Sequence, residues 1–144
     1  VSCLGFLTPA QRRRLRTSTR DDAGPLSSFA SPGATPSKVE RVRVMAGSTD
    51  VRIRESAALA VIAPPDVLTL LAGDPERSVR CSVARNAGTP PAVLGRLGTD
   101  ADPGVRGWVA ANPSVPASLL DELGDDADPT VRSVAAWARR WQIG

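Results

Sequence analysis

Apolar positions in the C-terminal two-thirds of the chain recur on a fixed beat. Ile53, Val79, Val105 and Val131 stand 26 residues apart, and an arginine follows each: Arg54, Arg80, Arg106 and Arg132. Four residues after each arginine comes an alanine, at Ala58, Ala84, Ala110 and Ala136. Pro64, Pro90 and Pro116 keep the same spacing, as do the pairs Leu68/Leu71, Leu94/Leu97 and Leu120/Leu123. Asp74, Asp100 and Asp126 complete the register, which holds without an insertion. A period of this length marks a repeat architecture, in which each unit is too small to bury its own apolar face and must stack on its neighbours.

Each unit predicts two short helices. In the first, Val105, Val109 and Asn112 have i, i+4, i+7 spacing and share one face. Asp102-Pro103 and Asp128-Pro129 are helix starts, with aspartate as the cap and proline at the first helical position. The first helix ends at Asn112-Pro113, because the residue before proline disfavours the helical region. A second segment then begins at Thr89-Pro90-Pro91, carries Val93, Leu94 and Leu97, and ends at Gly98; Gly73 and Gly124 end its sisters. It is barely two turns long, so the expectation is a short helix that mixes α and 3₁₀ geometry.

The predicted domain map follows from this register. Residues 1–34, rich in Arg, Ser and Pro, show little periodicity and read as a disordered tail. Residues 35–47 place Val39, Val42 and Met45 at helical spacing behind a Thr35 or Ser37 cap, a degenerate half-repeat. Units 48–73, 74–99 and 100–125 follow, and 126–144 is an incomplete repeat with a first helix alone.

Composition sharpens this picture at two points. The chain has 144 residues, of which 42% are apolar but only 3% aromatic, with no tyrosine and no histidine. The core must therefore be built from Ala, Val and Leu, which suits closely packed helices. The net charge of +3 belongs to the tail: residues 1–34 hold five arginines against two aspartates, whereas residues 35–144 hold 13 basic and 13 acidic side chains. A neutral body lacks the clustered positive surface that nucleic acid normally requires, which weakens a groove reading and leaves the tail arginines Arg12, Arg13, Arg14 and Arg16 as candidate nucleic-acid contacts.

The pattern Asp100, Val105-Arg106, Val109-Ala110-Ala111-Asn112-Pro113, Pro116, Leu120 and Leu123 resembles the leucine-rich repeat variant. Its Asp-x5-Arg element is also similar to HEAT repeats, where aspartate and arginine of successive units form a ladder. The resemblance covers residues 48–144. It implies an all-α, right-handed solenoid of about three and a half two-helix repeats, and a role in binding a protein partner. Two departures stand out. The Asn-Pro step is complete only at Asn112-Pro113, the others reading Asn86-Ala87 and Ala60-Val61. Some members also carry a cysteine-ligated iron–sulphur module, which Cys3 and Cys81 alone cannot build.

Candidate chemistry is sparse. The chain offers no histidine, no phosphate-binding glycine loop and no nucleophile motif, so neither catalysis, cofactor nor metal is expected. For Arg54, Arg80, Arg106 and Arg132, the structural reading is inter-repeat bonding with Asp74, Asp100 and Asp126; the functional one is a phosphate-reading groove. Asp102 and Asp128 read as caps. The acidic run Asp121, Glu122, Asp125, Asp126 and Asp128 lacks calcium-loop spacing and reads as a solvated loop. Trp137 and Trp141 share a helix face, either as core or cap packing or as an exposed contact surface, and Trp108 reads as inter-repeat packing. Both cysteines are expected as free thiols, with Cys81 packed as a small hydrophobe. No run spans a bilayer and no signal peptide is evident, so the expected location is cytoplasmic.

Overall fold

The computed structural model describes residues 34–142, and these contain eight α-helices and no strand. They are α1 (Pro36–Ala46), α2 (Val51–Leu59), α3 (Pro65–Leu71), α4 (Arg77–Arg85), α5 (Pro91–Leu97), α6 (Pro103–Ala110), α7 (Ala117–Gly124) and α8 (Pro129–Gln142). First helices begin at 51, 77, 103 and 129, and second helices at 65, 91 and 117. Both series advance by the sequence period. The tail and its arginines lie outside the described residues.

Local chemistry sets these boundaries. Thr35, of the two candidates, caps α1 by accepting from the backbone N–H of Lys38. Asp102 caps α6 through the N–H groups of Gly104 and Val105, and Asp128 does the same for α8 at Thr130 and Val131. Proline then separates the two helices of each unit: Pro64, Pro90 and Pro116 sit extended immediately before α3, α5 and α7. The short second helices are α throughout, where a 3₁₀ contribution was expected. Their terminal glycines are not left-handed caps: no described residue has positive φ, and Gly98 stays in the right-handed helical region. Gly98 instead permits close approach, since a Cβ there would stand 2.9 Å from Leu119 Cδ1.

Packing makes two layers. Successive first helices α1, α2, α4, α6 and α8 each stack on the one before, while each second helix wedges against the first helices that flank it. The core runs along the seam. Val79, Val83, Val105, Val109 and Val131 are fully buried from one side, and Leu68, Leu71, Leu94, Leu97 and Leu120 meet them from the other. Burying such side chains contributes about 1.5–3 kcal/mol each, which helices this short cannot obtain singly. Where the described residues supply no preceding second helix or no following unit, the pattern fails: Ile53 is 40% exposed and Ala136 is exposed, although their repeat equivalents are buried. Among the described residues, no helix is long and apolar enough to cross a membrane.

Candidate functional site

The four recurrent arginines sit on the first helices, one turn in, and three of them, Arg54, Arg80 and Arg106, reach across the seam to the next unit. Arg54 donates from Nε to Asp74 Oδ2 at 2.7 Å and from Nη2 to Oδ1 at 3.1 Å. Arg80 grips Asp100 at 2.7 and 3.2 Å, and Arg106 grips Asp126 at 2.7 and 2.8 Å. The aspartate six residues before each arginine plays a different part: it offers its backbone carbonyl to Nη1, as Asp74 does for Arg80 at 3.0 Å. Ser48 serves Arg54 in the same way, since the backbone carbonyl that accepts does not depend on the side chain. Arg132 is the exception, because it donates only to the carbonyls of Asp126 and Ala127 and reaches no carboxylate among the described residues.

Electrostatics follow from the forks. Each ladder carboxylate also accepts a backbone N–H two residues on, at Glu76, Asp102 and Asp128. Burial alone raises the carboxyls of Asp74 and Asp100, but the arginine fork and backbone donor outweigh it and hold both below the ordinary value. For Asp126 the Arg106 hydrogen bond is the dominant influence and likewise lowers it. The partnered guanidiniums of Arg54, Arg80 and Arg106 are raised, chiefly by the same bonds. With their donors committed, these arginines are not a phosphate-reading row.

A second ladder runs inside the first, and the sequence reading missed it. Asn86 donates both amide hydrogens backwards, to the carbonyls of Ala58 and Ala60 at 2.7 and 3.0 Å. Asn112 repeats this on Ala84 and Asn86 at 2.6 and 2.9 Å. Their own carbonyl oxygens accept from Gly88 and Ser114, which turns the chain toward the second helix. Both asparagines are buried, and their amides serve the helix-end carbonyls of Ala58 and Ala84 while sharing those of Ala60 and Asn86 with the N–H groups of Ala63 and Thr89. The available signal was the asparagine recurring at one repeat spacing on an otherwise apolar face. At the equivalent position α8 has Ala138, with no asparagine or proline to stop it, and the helix runs on to 14 residues.

The tryptophans gather on the open side of the first helices. Trp108, Trp137 and Trp141 are 43%, 56% and 72% exposed. Core or cap packing, the first reading of the terminal pair, is therefore replaced by an exposed surface, with ring centroids 6.0 Å apart. Trp108 does make an inter-repeat contact, with the Arg85 guanidinium 4.7 Å from its ring centre, yet much of it faces solvent. Beside it, between α6 and α8, lies a cleft of about 360 Å³ lined by Gly104, Gly107, Trp108, Val131 and Val134. The acidic run disperses: Asp121 pairs with Arg139, Asp126 joins the ladder and Asp128 caps α8. No described group of His, Cys, Asp or Glu could hold a metal ion. Cys81 is half-buried against the core as a free thiol, and burial raises its pKa.

One segment of the chain is similar to a known family. The model described as leucine rich repeat variant matches residues 77–102, one full period spanning α4 and α5 and bearing Arg80, Asn86 and Asp100. No curated protein and no solved structure matches the chain.

Proposed function

We propose that this repeat stack is a non-catalytic cytoplasmic scaffold that docks a protein partner on the open face of its first helices. The observation that carries the reading is the placement of all three tryptophans on that face, exposed, in a chain otherwise poor in aromatics. Exposed large apolar groups on a stable framework favour interaction, and tryptophan dominates interface energies. The second-helix face presents Asp66, Arg96, Asp121 and Glu122, with Leu70 its one large exposed apolar side chain among the described residues. The ladder arginines support the same conclusion, because their forks are spent inside the protein.

The test compares the full chain with Trp137→Ala and Trp141→Ala variants for retention of co-purifying protein, with nuclease treatment in every arm. Loss of the partner in the variants, at unchanged melting temperature, supports the scaffold. Fluorescence anisotropy with duplex DNA covers the rival reading through the tail arginines. Five neutralised phosphates give a log–log salt slope of about −4 to −5, abolished by removing residues 1–34. Salt-steep DNA binding that survives that removal overturns the scaffold reading.

A further inference from the structure

Internal repetition allows one seam of the stack to be compared with the next. Between α4 and α6 the seam is filled by charged side chains. Arg77 passes over Gly104, leaving no room for a side chain there, and gives Nε to Asp102 Oδ2 at 2.8 Å. Arg85 covers a face of Trp108. One unit on, between α6 and α8, Pro103 stands where Arg77 stood and Ala111 where Arg85 stood. The carboxylate persists: Asp128 occupies the position of Asp102. Its Oδ1 accepts from Thr130 and Val131 at 2.8 and 3.2 Å, and no described cation reaches its Oδ2. The space vacated by the two arginines is the 360 Å³ cleft, on whose wall Asp128 is the only charged residue among those described.

We infer that this cleft receives an arginine side chain from the partner protein, an inference that rests on the scaffold reading above. The match is chemical at each point along the side chain. Gly104, Gly107, Val131 and Val134 leave a small-walled apolar channel for the methylene stem. Trp108 supplies an aromatic face for a cation, and Asp128 Oδ2 a charge-assisted acceptor. A planar guanidinium suits an aromatic wall and a carboxylate better than an ammonium, and the upstream seam holds arginine against the same carboxylate position. Thr130 replaces Gly104 and narrows the route that Arg77 takes upstream, so the guest approaches along Gly107 and Trp108.

The experiment is an NMR titration of the ¹⁵N-labelled full chain with acetyl-Ala-Gly-Arg-Gly-Ala-amide and with the same peptide carrying citrulline, its neutral isostere. Saturable shifts are expected at the Gly104, Gly107 and Thr130 amides and the Trp108 indole, with citrulline weakening binding on the order of tenfold. Asp128→Asn keeps a capping side chain and should weaken the arginine peptide similarly. Pro103→Arg combined with Thr130→Gly rebuilds the upstream seam and should abolish binding by filling the cleft from within. Equal binding of the two peptides, shifts centred on Glu122 and Asp125, or no saturable shift at millimolar peptide overturns the cleft as an arginine receptor. Any of those results leaves the scaffold reading to be decided by the Trp137 and Trp141 variants.

Discussion

A buried asparagine that gives both amide hydrogens to the preceding unit leaves a helix-end carbonyl without its partner when it is removed. Asn112→Ala should therefore lower stability by about 1–3 kcal/mol, the range for leaving buried polar groups unsatisfied, as read from urea unfolding. Arg106→Ala should cost a similar amount, because it leaves Asp126 shielded from solvent without its fork. Arg132→Ala, which leaves no carboxylate behind, should stay within about 0.5 kcal/mol of the parent. Equal losses at Arg106 and Arg132 would mean that the fork contributes nothing beyond its stem. The same carboxylates set an acid limit. Asp74, Asp100 and Asp126 lie below the ordinary value in the folded chain, so their contribution is complete above the unfolded carboxyl value near 3.9 and drains as pH falls through the folded ones. Melting temperature should be level from about pH 8 to pH 5 and fall below about pH 4, with no histidine to add a step near 6.5. A fall between pH 7 and 6 would place the titrating groups elsewhere.

At the scale of the helix, α5 contains one glycine and ends on another, and the two have opposite meanings. A Cβ on Gly95 meets nothing within 4 Å, so Gly95→Ala should stabilise by about 0.5–1 kcal/mol through helix propensity. At Gly98 a Cβ would press on Leu119 and lie 3.3 Å from two carbonyl oxygens, so Gly98→Ala should destabilise by about 1 kcal/mol. Differential scanning calorimetry of the two variants should show melting temperatures moving in opposite directions. The sequence made the helices legible because proline and capping aspartate act within one turn of themselves. Position in the period also identified which residues are equivalent. It could not say which carboxylate an arginine reaches, since the fork closes on the aspartate 20 residues later, across a seam whose width no local pattern encodes. Nor could it say what covers a residue. Ile53, Ala136 and the terminal tryptophans keep helical spacing and are nevertheless exposed, because burial there depends on a neighbouring unit.

For the whole molecule, both ladders connect each unit only to the one beside it. Units 48–73 and 74–99 offer their successors the same handholds: an arginine fork reaching forward and two carbonyls that meet an asparagine. Residues 74–99 are therefore an interchangeable part. With that segment excised, Asp100 arrives 20 positions after Arg54, and Asn112 falls where Asn86 stood, facing the carbonyls of Ala58 and Ala60. The shortened chain should fold, keep the helicity per residue of the parent by circular dichroism, and lose denaturant sensitivity in proportion to the surface removed. Excision of 24 or 28 residues from the same place should yield an unfolded chain, since neither ladder would then meet its counterpart. Such a protein can change its span by copying or dropping whole segments while the two ladders keep their register, so its reach is free to vary where its spacing is not.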